Sequence, residues 1–176
     1  MTSELLERAL VEEATKKSGL IWVRAASADD AGSPAVPARA LWHVWHEGAA
    51  YVVGDGPGEQ PLPGLADGGD AVVTVRSKDK GGRIVSWPAR VAELTPGTPE
   101  WEGAVAELKG KRLNALDGEA MPERWRRECR VLRLEPRGGT VPLPSDSQAA
   151  PPPPSPAVTR RPIPAALPRL LRRKRR

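Results

Sequence analysis

Two histidines, one cysteine and a few arginines are the side chains from which this chain could build a reactive site. His43 and His46 fall in one predicted strand, and an odd separation along a strand places two side chains on opposite faces. A metal ion shared by these histidines is therefore not expected, and the sequence predicts no metal site. Cys129 lies near Arg127 and Arg130, which could lower its thiol pKa, although a lone cysteine at a strand end is more often a small buried hydrophobe.

A glycine-rich segment over residues 54–58 superficially resembles a phosphate-binding loop. It lacks the Gly-Lys-Ser/Thr that would follow, and Pro57 removes one of the backbone amides that such a loop needs. A tight acidic turn is the better interpretation. The sequence also has no Gly-x-Ser-x-Gly elbow, no His-Glu-x-x-His helix and no pair of cysteines, so serine hydrolases and zinc hydrolases have no starting residue here. No side chain is singled out as a catalytic acid or base.

Six tryptophans and no phenylalanine give the chain an unusual aromatic content. Trp42, Trp45 and Trp87 could stack on a flat ligand ring or on nucleic-acid bases. The alternative is that at least two of them replace phenylalanine in the core.

Four predicted strands, arranged as two hairpins, must position most of these residues. They cover residues 39–46, 49–53, 70–76 and 83–94. Glu47-Gly48 joins the first two strands, and a two-residue loop of this type is typical of a hairpin. Strands this close along the chain predict a local antiparallel ribbon.

Helices are predicted on both sides of the hairpins. Ser3 can cap a first helix whose apolar face would carry Leu6, Leu10 and Ala14, and Gly19 would end it. A second helix should begin after Thr98 and continue to about Leu116. A short helix is predicted over residues 121–127, strands over 20–25 and 130–134, and a loop over 28–37.

The charge of the chain is divided unevenly. The whole chain carries a net charge of +5, yet residues 1–140 hold 19 basic and 21 acidic side chains, and residues 141–176 hold 8 and 1. Ten of the 20 prolines also fall in residues 141–176, which predicts a disordered, proline-rich linker with a basic tail. The run Arg169–Arg176 could contact nucleic acid, an anionic surface or an acidic partner, or could be a solvated extension.

The order of elements over residues 5–136 resembles the pyridoxamine-phosphate-oxidase-like, FMN-binding split barrels. The resemblance implies a mainly β (α+β) fold, a small antiparallel split β-barrel with flanking helices in residues 1–140, followed by the tail in residues 141–176. In relatives the hairpins of two protomers form the cofactor site together, so a homodimer is implied as well. With one cysteine and no apolar stretch of membrane-spanning length, the expected location is the cytoplasm.

Members of this family hold the FMN phosphate and ring with an Arg-x-x-x-x-Lys strand, a Tyr-Thr-like pair, a basic loop and an Arg-Gln-Val run. Arg39 matches the first arginine, and Val44 stands in place of the lysine. Val53 falls at the pair, and Arg83 opens the last run. Glu59 lies in the loop where the basic cluster would be, and its charge would repel a phosphate.

The resemblance implies FMN as the cofactor, with deazaflavin F420 as an alternative, while the lost contacts also fit a protein with no cofactor. The candidate cofactor-binding residues are Arg39, Val53, Arg76 and Arg83, with Arg39 as the expected phosphate contact. The implied function is that of a flavin- or deazaflavin-dependent oxidoreductase-like protein acting on a small molecule, in which the cofactor carries the hydride chemistry. The alternative is a non-catalytic split barrel that acts through its dimer surface or its basic tail.

Overall fold

A single sheet that curls into a half-barrel dominates the computed structural model, which describes residues 2–26, 37–113, 115 and 117–143. The chain divides into two units after Pro142, and the description below concerns the first. Most of the predicted loop over 28–37 and nearly all of the predicted tail, including Arg169–Arg176, lie outside the described residues.

Seven strands, all paired antiparallel, form the sheet in the described part of the chain. They are β1 (Leu20–Ala26), β2 (Arg39–Trp42), β3 (Val44–His46), β4 (Ala49–Gly54), β5 (Asp70–Arg76), β6 (Arg83–Glu93) and β7 (Arg130–Pro136). Their order across the sheet is β2-β1-β5-β6-β7-β4-β3.

Both predicted hairpins are confirmed, but they do not form one continuous ribbon. Glu47 and Gly48 have φ angles of 45° and 78°, which match the right-handed twist of β3 and β4. The predicted strand over 39–46 is broken at His43, so that β2 pairs with β1 and only β3 pairs with β4. The closing strand β7 then lies between the two hairpins, beside β6 and β4.

Three helices accompany the sheet in the described residues: α1 (Thr2–Lys17), α2 (Pro99–Lys111) and α3 (Met121–Glu128). The hydroxyl of Thr98 caps α2 by accepting a hydrogen bond from Trp101 N at 3.2 Å, as predicted. The helix ends at Lys111, before the predicted end, because Arg112 takes an extended conformation.

The predicted apolar face of α1 is wrong at Leu6 and Leu10, although Ala14 packs against the barrel interior as predicted. Leu6 and Leu10 are 66% and 47% exposed, whereas Val11 and Thr15 are buried. The helix turns this second face inward because Thr140 holds Glu7 at one end and a histidine side chain bonds the carbonyl of Thr15 at the other. Val11 then packs with the barrel interior.

Two apolar clusters fill the fold, one on each side of the curled sheet. The first is the barrel interior, where the alternating residues of β1, β5 and β6 point inward. The second lies outside β4, where α2 and α3 pack on the sheet through Trp101, Val105, Leu108, Met121 and Trp125. Trp87 belongs to the first cluster, Trp45 packs against it and Trp42 packs against the second, so all three tryptophans contribute to packing.

Candidate functional site

The break between β2 and β3 opens a cleft of about 570 Å³ against the end of α2. We call this feature the α2 cleft. Its wall is formed by Ser18, Gly19, Trp42, His43, Gly110, Lys111, Arg112 and Leu113. The junction of α1 and β1, the β2–β3 break and the C-terminal turn of α2 therefore each supply part of the same surface.

His43 is the buried polar group of this cleft. It is 2% exposed, and its Nε2 lies 3.0 Å from the carbonyl oxygen of Thr15. A carbonyl only accepts, so Nε2 carries the proton and Nδ1 carries the lone pair. Burial, together with the positive charge of Lys111, lowers the pKa of His43 from 6.5 to about 4, so the ring is neutral at pH 7. Nδ1 is buried and has no partner among the described residues.

Trp42 and two cations complete the α2 cleft. Lys111 is the last residue of α2, and Arg112 follows it. The guanidinium of Arg112 lies 5.6 Å from the centre of the Trp42 ring, which packs against Trp125 at 6.4 Å. The cleft thus combines an aromatic ring, positive charge and a histidine whose Nδ1 is buried without a partner in the described residues, a combination suited to a flat anionic ligand.

The loop after β4 is a tight turn, as predicted. A Cβ added at Gly54 would lie 2.2 Å from the carbonyl oxygen of Gln60, so glycine is required there. Asp55 has a φ of 59°, and its carboxylate accepts a 2.7 Å hydrogen bond from Leu62 N. The side-chain amide of Gln60 bonds both the N–H and the carbonyl of Trp42, each at 2.9 Å. The turn therefore fixes the strand that carries the aromatic wall of the α2 cleft.

Glu59, in this turn, does not face a ligand. Its side chain is fully buried and pairs with Arg112 Nε at 3.2 Å and Arg124 Nη2 at 3.1 Å. The indole N–H of Trp125 donates a third contact to it at 3.0 Å. The expected phosphate loop is thus filled by a carboxylate that two arginines neutralise, and an FMN phosphate does not fit at the position of this carboxylate. The two arginines that reach the loop are Arg112, which follows α2, and Arg124, on α3. Their contact with Glu59 was not predicted from the sequence.

Of the four predicted cofactor-binding residues, Arg76 and Arg83 lie opposite each other on β5 and β6, while Arg39 and Val53 lie on β2 and β4. Arg39 is exposed at the start of β2, and Val53 is buried in the second cluster. Arg76 lies 4.0 Å above the tryptophan ring of β1, and Arg83 donates to the carbonyl of Val141. None of the four is among the described residues that line the α2 cleft, and their contact with a cofactor stays a prediction.

Cys129 and His46, the other side chains considered for chemistry, are engaged in packing. Cys129 is partly buried, and burial raises its thiol pKa, so the hypothesis of a lowered thiol pKa is wrong. His46 packs beside Tyr51 with ring centres 6.2 Å apart. Within the described residues there is no cluster of three or more His, Cys, Asp or Glu side chains that could hold a metal ion. No helix in that part of the chain has the length and apolar character to cross a membrane.

No family model matches the chain, and neither does any curated protein. Among solved structures, the haem storage protein HutZ from Vibrio cholerae aligns with a TM-score of 0.51 at 13% identity, over 74% of this chain and 90% of that one. ChuZ from Campylobacter jejuni also gives 0.51, at 8% identity, over 72% of this chain and 51% of that one. A FAD- and haem-binding protein from Mycobacterium smegmatis gives 0.46 at 16% identity, over 90% and 92%.

The first two likenesses and the topology define the class of fold. The chain has the split-barrel fold of the pyridoxamine-phosphate-oxidase-like proteins. The sequence resemblance is thereby confirmed at the level of the fold.

Proposed function

We propose that the α2 cleft binds a planar, anionic redox cofactor and that the chain is a flavin- or deazaflavin-dependent oxidoreductase-like protein acting on a small molecule. The observation that carries the proposal is the buried, neutral His43, whose Nδ1 has no partner among the described residues in a cleft that also holds Trp42 and Lys111. An unpaired buried polar atom costs free energy unless a ligand satisfies it.

Each wall of the α2 cleft has a part in holding such a cofactor. The indole of Trp42 offers a face for the flat ring, and Lys111 offers positive charge for a phosphate, because Arg112 is already paired with Glu59. Nδ1 of His43 can accept a hydrogen bond from a ring N–H, because its proton is held on the other nitrogen. The flavin, when bound, supplies the hydride chemistry, and the protein orients the ring and excludes water.

Haem is the second candidate, and His43 favours it specifically. A histidine that ligates a metal usually donates its other ring N–H to a carbonyl or carboxylate, as His43 does to Thr15. Lys111 would then meet a propionate. HutZ, which shares the fold, is a haem storage protein.

A homodimer is part of the proposal. The outer face of β1, β5 and β6 carries Trp22 with Arg76 stacked over it, and Leu20 and Ile84 on the same face are 50% and 51% exposed. A second copy placed against this face would bury these side chains. It would also bring a partner's residues toward the cofactor, and Arg39, Arg76 and Arg83 are proposed to contribute there. Light scattering of the purified protein tests the dimer, and a monomer at micromolar concentration would contradict it.

The cofactor is tested by absorbance spectra of the purified protein, followed by titration with FMN, deazaflavin and haem. Removing a charged contact costs about 1.5–3 kcal/mol, or about 10- to 150-fold in affinity, so Lys111→Gln should weaken FMN binding by a factor in that range. Lys109→Gln, two residues earlier on α2 and paired with Glu119, is the matched control and should bind as the wild type does.

His43→Gln separates the two cofactors. It keeps a donor for Thr15 and replaces the ring, so it should abolish a histidine-ligated haem spectrum and weaken FMN only moderately. If neither FMN, deazaflavin nor haem binds the wild type, the proposal is wrong. The non-catalytic alternative, in which the chain acts through its dimer surface or basic tail, would then take its place.

A further inference from the structure

A second cavity, of about 280 Å³, lies between α1 and the ends of β3 and β7. We call it the α1 cavity. Its volume equals that of about nine water molecules at about 30 Å³ each, which suits a small organic molecule. None of the residues of the α2 cleft contributes to it, so the two sites are separate.

The rim of the α1 cavity is acidic. Glu4, Glu7, Glu12 and Glu135 line it together with one cation, Arg8. Thr140 donates to Glu7 Oε2 from its backbone N–H at 2.9 Å and from its hydroxyl at 3.2 Å. These hydrogen bonds lower the pKa of Glu7 and keep it ionised. The rim therefore attracts positive charge and repels anions.

Two tryptophans give the same cavity an aromatic wall. Trp45 and Trp87 meet edge to face, with ring centres 6.1 Å apart, and both line the cavity. Trp87 is 1% exposed, and its Nε1 is buried without a partner in the described part of the chain. An indole N–H only donates, so the unsatisfied group requires an acceptor atom. The acidic rim and this donor are independent observations that both point to a ligand.

We propose that the α1 cavity binds a small organic cation that carries a neutral oxygen acceptor, of the amino-alcohol or quaternary-ammonium class. The cation lies among the carboxylates and against the tryptophan wall, where an ammonium group gains both ion-pair and cation–π attraction. The neutral oxygen accepts from Nε1 of Trp87. A carboxylate would also satisfy this donor, but the acidic rim disfavours it.

The test is a titration of the full chain with choline at low salt, followed through the indole N–H resonances in proton–nitrogen correlation spectra. Choline should move the Trp87 indole resonance and saturate, and its uncharged isostere dimethylbutanol should bind at least fivefold more weakly. Equal binding of the two compounds, or a Trp87 resonance that choline does not move, would overturn the proposal.

Two exposed or half-buried carboxylates of the rim provide variants that should fold normally. Glu4→Gln and Glu12→Gln should each weaken choline about two- to fivefold, the range expected of partly solvated ion pairs. Glu13→Gln is the matched control, because Glu13 lies on the same helix but pairs with Lys17 at 2.8 Å and does not line the cavity. A loss of affinity in Glu13→Gln as large as in Glu12→Gln would mean that the helix charge as a whole, and not the cavity, attracts the cation.

Discussion

The α2 cleft and the α1 cavity have similar walls and opposite charge. Each sets tryptophan beside a buried polar atom without a partner, Nδ1 of His43 in one and Nε1 of Trp87 in the other. In the α2 cleft the neighbouring charges are Lys111 and Arg112, whereas the rim of the α1 cavity is mainly carboxylate. The buried atoms also differ in kind, because the first accepts and the second donates. The two proposals thus assign an anionic ligand to one site and a cationic ligand to the other, in accord with the charges around each.

The largest expected effect is a loss of stability when the ion pairs that hold Arg112 at the α2 cleft are broken. Glu59→Gln removes the buried carboxylate between Arg112 and Arg124, and breaking a buried ion pair by removing one partner costs about 3–5 kcal/mol. Urea unfolding measures this loss. The control Glu119→Gln removes a fully exposed carboxylate and should change stability by less than about 0.5 kcal/mol. Stability in Glu59→Gln equal to the wild type would show that Arg112 does not depend on this pair.

The next effect is the pH dependence that His43 gives to the fold. Its pKa falls from 6.5 in the unfolded chain to about 4 in the folded protein, so between these values the unfolded chain binds more protons. Stability is therefore fully present above pH 6.5 and decreases as the pH falls toward 4, by about 3 kcal/mol in total. His43→Gln should lack this part of the slope. A wild-type free energy of unfolding that is flat from pH 7 to pH 4.5 would contradict the burial of a neutral His43.

Two truncated chains test whether residues 140–143 hold the rim of the α1 cavity. Thr140 bonds Glu7 on its rim, and Val141 N donates to Ser86 O at 2.8 Å. A chain ending at Gly139 loses these hydrogen bonds, and a chain ending at Leu143 keeps them. The shorter chain should be about 1–3 kcal/mol less stable than the longer one and should bind choline more weakly. Equal melting temperatures would mean that residues 140–143 do not hold the rim.

The smallest expected effect tests whether the FMN phosphate binds in the α2 cleft or at Arg39, the contact that the family resemblance implies. Arg39 is exposed and lies outside the cleft within one protomer. Arg39→Ala should therefore weaken FMN binding less than Lys111→Gln does, by about two- to fivefold, the range of an exposed charge. Fluorescence titration of both variants measures the ratio. A larger loss in Arg39→Ala would place the phosphate at β2, as the family pattern implies.

Local signals in the sequence were sufficient for most of the fold. The cap at Thr98, the turn at Glu47-Gly48 and the strand over 70–76 each depend on neighbours within a few residues, and all three are confirmed. The face of α1 was predicted wrongly because it is decided by Thr140 and His43, which are far away along the chain.

The candidate site could be predicted only in part for the same reason. His43 was noted only in ruling out a metal shared with His46, and Trp42 was noted for stacking, but the contact that fixes the tautomer of His43 joins residues 28 positions apart. Glu59 was identified as an obstacle to phosphate, while the arginines that enclose it lie 53 and 65 positions later. A single sequence contains no local pattern for ion pairs of that separation. Nothing in the local sequence distinguishes Lys111 and Arg112 from other basic residues at the end of a helix.

The most direct test of the central claim is the nitrogen resonance of His43 Nδ1 in protein labelled at histidine, recorded before and after saturation with FMN, or with haem if FMN does not bind. In the free protein at pH 7 it should have the shift of an unprotonated imidazole nitrogen, since Nε2 holds the proton. Cofactor should displace this resonance, and Lys111→Gln should require proportionally more cofactor for the same displacement. A cofactor that binds and leaves the His43 resonance unchanged would contradict its placement in the α2 cleft.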